Sequence, residues 1–268
     1  MAHDQRFGEW GNRLLAAFPA EVLQSLERDF RRLTLSRGSL CFDAGTRIDR
    51  VYFPINGMIS LVVPLDSGEV IETATIGLDG GAGVHSGLGE RVSYARAMVQ
   101  IAGDFAILPA TRLQRAVGSS PALGNLISRY TETLWAEAQQ TAACNALHAA
   151  SARICRWLLQ TADRIGSDDV PLTQEYLAEM LGVRRTTVTL LAQELQKHGA
   201  IRYSRGKITL LDREALAACT CECYGAIKRQ KSLLKVEGGG GECRSRRTRK
   251  RCDAGIRHIS NVFMCSSP

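Results

Sequence analysis

The stretch Leu172-Thr-Gln-Glu-Tyr-Leu-Ala-Glu-Met-Leu-Gly-Val-Arg-Arg-Thr-Thr-Val-Thr-Leu-Leu-Ala-Gln-Glu-Leu195 decides the architecture of the C-terminal third. Thr173 is placed to cap a helix, because its hydroxyl can accept from an unpaired amide of the first turn. Tyr176, Leu177, Met180 and Leu181 follow at three- and four-residue steps and make an apolar face. Gly182 ends that helix, since glycine enters the left-handed region without a Cβ penalty. Val183 then reads as the buried residue of a tight turn. A second helix is expected over 184–196, with Val188, Leu191 and Leu195 facing inward. Two short helices joined by a glycine turn are the geometry that lays a second helix in the DNA major groove.

The outward residues of that second helix are Arg184, Arg185, Thr186, Thr187 and Thr189. Arginine makes bidentate hydrogen bonds to a guanine edge, and threonine bonds a phosphate or touches a thymine methyl. Lys197, His198, Arg202, Arg205 and Lys207 follow, and Ser204-Arg205-Gly206-Lys207 reads as the tip of a β-hairpin wing suited to phosphate contacts. The candidate DNA-binding set is Thr173, Arg184, Arg185, Thr186, Thr187, Thr189, Lys197, Arg205 and Lys207. Between Arg184 and Lys207 six Lys/Arg face one carboxylate, Glu194, a local surplus of +5. The net charge of +7 for the whole chain is less informative, because residues 228–257 carry +8 and the remainder sums to −1. The bland alternative is a core helix pair with a solvated basic rim. The Arg-Arg-Thr-Thr start and the basic hairpin favour DNA.

Outward from this segment the texture changes. Residues 1–29 read as short helices, with Leu14, Leu15 and Phe18, then Val22, Leu23 and Leu26, at near-helical spacing. Pro19 between them suits the first turn of the second helix. Residues 30–120 hold short apolar runs (Ile48 to Phe53, Met58 to Val63, Val70 to Ile76) punctuated by Gly38, Gly45, Asn56-Gly57, Ser67-Gly68 and Asp79-Gly80-Gly81. Turn signals at roughly 8–12-residue spacing indicate an antiparallel sandwich or barrel. Asp66-Ser67-Gly68 is a hairpin turn with glycine at positive φ, and Asn56-Gly57 has the same logic, although Pro54 weakens its strand. Residues 121–165 are helical, as a long helix over 121–147 and a second one, with a break within 145–151. In the long helix Leu123, Leu126, Ile127, Tyr130, Leu134 and Ala138 form a stripe that reads as the seam of a homodimer; alternatively the stripe covers the β domain. Residues 148–227 are the domain containing the helix-turn-helix. Residues 228–268, with Gly238 to Gly241 and Arg244 to Arg251, are a basic tail whose composition cannot bury a core. The fold class is α+β.

Other classes are disfavoured. No apolar run reaches the roughly 18 residues needed to span a bilayer, so no membrane partner is expected. The first ten residues lack the apolar core of a secretory signal, which makes the cytoplasm the expected location. Nine cysteines, six of them after residue 218, form no Cys-x-x-Cys pair, and the odd number argues for reduced thiols over a disulfide framework. Cys219, Cys221 and Cys223 alternate; Cys219 and Cys223 would share a helix face, and Cys243, Cys252 and Cys265 could add thiolates. Such soft ligands suit zinc, but the spacing matches no usual zinc site, so packed or solvent-facing thiols and no metal are expected. Gly80-Gly81-Ala82-Gly83 lacks the βαβ context of a dinucleotide loop and reads as a turn. No Gly-x-Ser-x-Gly, His-Glu-x-x-His or phosphate-loop lysine occurs, and no enzymatic activity is expected.

In this order of parts the chain resembles the Crp/Fnr superfamily of bacterial transcription regulators, over residues 20–227 and most closely over 172–211. The resemblance implies an N-terminal antiparallel β-roll (the double-stranded β-helix or jelly-roll type of cyclic-nucleotide-binding-like domains), a long dimerisation helix and a C-terminal winged helix-turn-helix. It implies a homodimer on double-stranded DNA, with RNA polymerase as a further partner if the protein is an activator. It places Arg185 on the family's base-reading arginine and Thr187-Val188 on its Thr-Val pair. Thr186 stands where many members carry glutamate, and Leu190 where some carry a second arginine, which implies a different operator from the best-known consensus. Members that bind cyclic nucleotides carry a Gly-Glu pair and an Arg-Ser/Thr-Ala run. Here Gly77 to Val84 has no glutamate at the paired position, and Arg96-Ala97 lacks the hydroxyl residue, so a cyclic phosphate would be under-compensated. Iron–sulfur members carry an N-terminal cysteine cluster, whereas only Cys41 precedes residue 144. His85 and His148 read as structural, with haem left open, and no cofactor is expected. The competing reading of the whole is a ligand-binding β-roll signalling protein whose C-terminal domain binds protein rather than DNA.

Overall fold

The computed structural model of the chain describes residues 11–89, 92–204 and 206–232. Two short helices open it, α1 (Arg13–Ala16) and α2 (Ala20–Leu26). Asn12 caps α1, its Oδ1 accepting from the Leu15 amide at 3.0 Å. Pro19 occupies the N-cap of α2 rather than its first turn.

Seven strands follow: β1 (Arg31–Leu35), β2 (Leu40–Phe42), β3 (Arg50–Pro54), β4 (Met58–Pro64), β5 (Val70–Ile76), β6 (Arg96–Ile101) and β7 (Gly103–Pro109). They pair into two antiparallel sheets, ordered β1-β7-β3 and β2-β6-β4-β5. Phe53, Ile59, Val99, Phe105 and Leu108 fill the space between them, and α1 and α2 close one side with Leu15, Phe18 and Leu23. The β4–β5 hairpin turns at Gly68, where φ is +87° and the amide donates to the Leu65 carbonyl at 2.9 Å. Asn56-Gly57 differs from expectation. Gly57 does not have positive φ; it is needed for close approach, because a Cβ there would lie 2.6 Å from the Phe105 ring. Asn56 Oδ1 meanwhile accepts from the Asp104 amide at 2.6 Å.

Helix α3 (Ala110–Ser119) leads to α4 (Pro121–Leu147), which Ser120 caps with Pro121 in the first turn. Leu123, Leu126, Ile127 and Tyr130 lie in the same apolar cluster as Phe53 and Phe105, with Leu134 at its margin. The expectation of a seam with a second copy is therefore corrected for these four, whose side chains are buried against the chain's own β-roll. The opposite face of α4 is left to solvent, and Trp135 there is 66% exposed.

Helix α4 stops at Leu147 and α5 (Ala150–Ile165) begins, so the break falls within the expected window. Then come β8 (Asp169–Val170), α6 (Gln174–Leu181), α7 (Arg185–Lys197), β9 (Ile201–Ser204), β10 (Lys207–Leu210), α8 (Arg213–Cys219) and α9 (Cys223–Ser232). The sheet order β8-β10-β9 includes a two-residue strand, β8, that is too short to carry a sequence period. Helix α9 runs through Lys228 to Ser232, five residues that the sequence reading assigned to the tail. Arg244 to Arg251 and Cys243, Cys252 and Cys265 lie outside the described residues. Among the described residues, no helix is long and apolar enough to cross a membrane.

The two halves are not separate beads. Met58, Val62 and Ile101 of the β-roll join Trp157, Leu158, Leu177, Leu181, Val188 and Leu216 in one buried cluster. Buried polar joints reinforce it. Glu72 on β5 accepts from Ser60 Oγ at 2.5 Å and from Trp157 Nε1 on α5 at 2.7 Å, and burial pushes its carboxyl up to about 7. Arg164 on α5 pairs with Glu137 on α4 at 2.5 Å. Lys231 on α9 reaches Asp79 at 2.6 Å and Glu137 at 3.4 Å. Burial opposes ionisation of Asp79 and Glu137, but their cationic partners outweigh it and hold both carboxyls below the ordinary range.

Candidate nucleic-acid interface

The helix-turn-helix is built from α6 and α7. Thr173 occupies the N-cap of α6, but its hydroxyl makes no capping hydrogen bond, contrary to expectation. The Glu175 amide, Arg185 and that hydroxyl together lower the Glu175 carboxyl. Gly182 ends α6 at φ 61° and ψ 42°, and its amide reaches back to the Ala178 and Glu179 carbonyls. A Cβ there would also lie 2.9 Å from Ile71 Cδ1, so the turn packs against β5 as well. Val183 is half-buried at the edge of the core rather than fully covered. Helix α7 starts one residue later than its sequence suggests, with Arg184 as N-cap. Val188, Ala192 and Leu195 anchor it inside, and Leu191 packs at the rim.

This anchoring turns the basic end outward. Arg184, Arg185 and Thr186 are exposed, and Thr187 is half-buried. Arg185 Nη1 lies 2.9 Å from Glu175 Oε1, with both side chains more than half exposed. Such a solvated pair is weak and leaves the guanidinium able to swing to a new partner. Thr189 is different: its Oγ1 lies 2.7 Å from Gln174 Oε1 and 3.1 Å from the Arg185 carbonyl. Both neighbours are acceptors, so its one proton stays inside the protein and ties α7 to α6. Leu190, one turn beyond Thr186, is 67% exposed. It continues the outer face of α7 and offers an apolar surface of the kind that meets a thymine methyl.

The wing is the β9–β10 hairpin, with Gly206 at φ +75°. Arg205 lies outside the described residues. Lys207 is half-exposed and 2.7 Å from Asp169. Lys197 and Arg202 are exposed on the same domain. Gln196 Oε1 accepts from the Tyr203 amide at 2.8 Å, which fixes the wing to the end of α7.

The β-roll region where the resemblance looks for an effector is closely packed. A Cβ at Gly80 would lie 2.2 Å from Tyr130 Oη, and the Gly81 amide donates to that hydroxyl at 3.0 Å. Arg96 is engaged by Asp43 through two hydrogen bonds, of 2.9 and 3.0 Å. Burial lowers the pKa of His85.

Residues 152–219 match the Crp-like helix-turn-helix domain. Over 188 residues the chain is 25% identical to the global nitrogen regulator of Nostoc sp. (strain PCC 7120 / SAG 25.82 / UTEX 2576), covering 66% of this chain and 83% of that protein. The fold is similar to that of FixK2 from Bradyrhizobium japonicum, with a TM-score of 0.62 at 17% identity over 72% of this chain and 98% of that one. It is also similar to a Crp/Fnr-family transcriptional regulator from Thermus thermophilus, with a TM-score of 0.56 at 22% identity over 70% and 96% of the two chains. With an exposed basic helix at the position where such a domain meets a duplex, the chain is a DNA-binding transcription regulator that carries a Crp-like helix-turn-helix domain.

Proposed function

We propose that the protein acts as a homodimer on a two-fold operator, with α7 of each copy entering successive major grooves about 34 Å apart. The observation that carries this reading is the exposure of Arg184, Arg185 and Thr186 immediately after the left-handed Gly182 turn. In it Arg185 leaves Glu175 to read a guanine edge, while Thr186 and Leu190 face thymine methyls. Arg184, Lys197, Arg205 and Lys207 neutralise phosphates, Thr187 hydrogen-bonds one, and Thr173 at the start of α6 approaches the backbone.

The partner copy is met by the outer face of α4, centred on Trp135 with Ala138, Ala142 and Ala143. Trp135, Ala142 and Ala143 are exposed there, and Ala138 and Leu134 are half-buried at the margin of that face. The β-roll is an effector or support domain, and reorientation of the DNA-binding halves relative to each other sets the spacing of the two α7 helices. An activating version of this dimer would also touch RNA polymerase, and the compartment is the bacterial cytoplasm. The test is selection of bound fragments from random DNA, followed by gel-shift titration over a salt series. Palindromic half-sites and a steep loss of affinity with salt are expected. Binding without sequence preference, or binding indifferent to salt, refutes the reading.

A further inference from the structure

Four residues outside the DNA-reading machinery converge at the junction of the two halves. Cys144 lies in the last turn of α4, and His148 is that helix's C-cap. Cys221 lies in the break between α8 and α9, and Cys223 opens α9. One ligand atom from each falls within 4.8 Å of the other three. Cys144 Sγ is 3.5 Å from Cys221 Sγ, and Cys223 Sγ is 3.6 Å from His148 Nδ1. A tetrahedral zinc ion with Zn–S near 2.3 Å and Zn–N near 2.0 Å needs its ligands roughly 3.5–3.8 Å apart. The set is thus compact enough for one ion. It is too tight for an iron–sulfur cluster, whose thiolates sit on different irons with the cluster between them.

The surroundings carry the marks of a ligand shell. His148 Nε2, the nitrogen turned away from the thiols, is 3.3 Å from Glu222 Oε1. A carboxylate on the far nitrogen fixes a ligating imidazole's tautomer and raises its basicity. Gln140 Nε2 donates to Cys223 Sγ at 3.0 Å, a bond that favours a thiolate. Arg156, and beside it Arg153, act electrostatically on Cys144 and its neighbours. Two guanidinium groups offset the single negative charge that three thiolates, a neutral imidazole and a divalent ion would leave. Cys155 and Cys41 form the contrast: neither belongs to the cluster, and burial, joined at Cys155 by the influence of Cys219 and Cys221, pushes each thiol up to about 12. They are inert packing thiols.

We propose that Cys144, His148, Cys221 and Cys223 form a closed tetrahedral site for a single zinc-class divalent cation, which clamps the C-terminal end of α4 to the start of α9. Three soft ligands and one imidazole select zinc over magnesium, calcium or manganese. The clamp spans the α4–α5 break, where the chain passes from the β-roll's long helix into the DNA-binding half. The proposal departs from the sequence reading in which no metal is expected. Cys219 and Cys223 do not share a helix face, because α8 ends at Cys219 and α9 starts at Cys223. Instead the Cys221-x-Cys223 pair meets ligands supplied more than 70 positions earlier.

The test uses the full chain, reduced and stripped with a chelator, then titrated with Co²⁺ alone. The expected result is about one cobalt per chain, with thiolate charge-transfer bands and the d–d absorption of a tetrahedral site. Protein purified without chelator should hold a stoichiometric amount of zinc by mass spectrometry. Cys221→Ser/Cys223→Ser should abolish the cobalt bands, and Glu222→Gln should weaken the affinity roughly tenfold. Cys155→Ser should leave both unchanged. Wild-type protein that develops no tetrahedral cobalt spectrum overturns the proposal without reliance on any variant. So do bands that survive the double substitution, iron accompanied by acid-labile sulfide, or a Cys144–Cys221 disulfide whose reduction still yields no metal binding.

Discussion

Glu72 should make the stability of the fold fall with pH in the neutral range, and Glu72→Gln should abolish that fall. The carboxyl is 6% exposed and sits between Ser60 Oγ and Trp157 Nε1. Burial raises it from an ordinary value of 4.5 to about 7, against the pull of those donors and of Arg164 and Arg156. A group that holds its proton more tightly folded than unfolded contributes fully below the unfolded value and loses that contribution as pH rises through the folded one. The interval from 4.5 to about 7, at 1.36 kcal/mol per pH unit, corresponds to roughly 3 kcal/mol. Glutamine keeps the shape, still accepts from the indole N–H, and cannot ionise. Wild type and variant should be nearly equal at pH 5. At pH 8 the variant should be the more stable by up to roughly 3 kcal/mol, or about 6–12 °C in Tm for a chain of this size. The assay is urea unfolding of both proteins from pH 5 to 8 at fixed ionic strength and protein concentration, because subunit association also shifts midpoints. Other titrating groups are common to both curves, so their difference isolates this side chain. Parallel curves, or a variant that loses ground as pH rises, refute the reasoning.

Arg185→Ala should relax base preference at one operator position by about 1–3 kcal/mol, whereas Lys207→Ala should weaken all sequences alike and reduce the salt slope by about 1; gel shifts on operator variants over a salt series separate the two. Arg164→Met leaves the buried Glu137 carboxylate without its closest partner and should cost about 3–5 kcal/mol in urea unfolding. Arg164→Met/Glu137→Leu should recover most of that loss, and a double variant as unstable as the single one would refute the pairing argument. Gly80→Ala sets a Cβ 2.2 Å from Tyr130 Oη and should destabilise by about 1–3 kcal/mol, read as a drop in Tm. Trp135→Glu should raise the dimer dissociation constant at least tenfold in sedimentation equilibrium, while Leu126→Ala should act on monomer stability instead.

How much of this was legible in the sequence depends on how local each signal is. The α6–turn–α7 unit was readable almost residue by residue, because Gly182 and the steps from Leu177 to Leu195 encode it within two dozen positions. The β4–β5 turn was equally local. The stripe of α4 is apolar by its spacing, but periodicity cannot say which surface a stripe covers, and the β-roll claims Leu123 to Tyr130. Gly57 shows the same limit, since an Asn-Gly pair states that glycine is required without stating whether φ or the Phe105 ring requires it. Within the DNA-reading set, Thr189 is singled out for its hydroxyl, yet that hydroxyl is engaged by Gln174 and the Arg185 carbonyl. The convergence of Cys144 and His148 with Cys221 and Cys223 was hidden, because the fold brings it about across distant segments and spacing along the chain does not record it.

Met58, Val62 and Ile101 have a consequence for signalling. Since these β-roll side chains belong to the same apolar body as Trp157, Leu181 and Val188, the reading head is not hung on a free hinge. Turning it means trading one packed joint for another, which favours two discrete settings over a continuum. An effector would therefore act by tilting the balance between two fitted arrangements, and mutations at this joint should alter the response to a signal while leaving every DNA-contacting side chain in place.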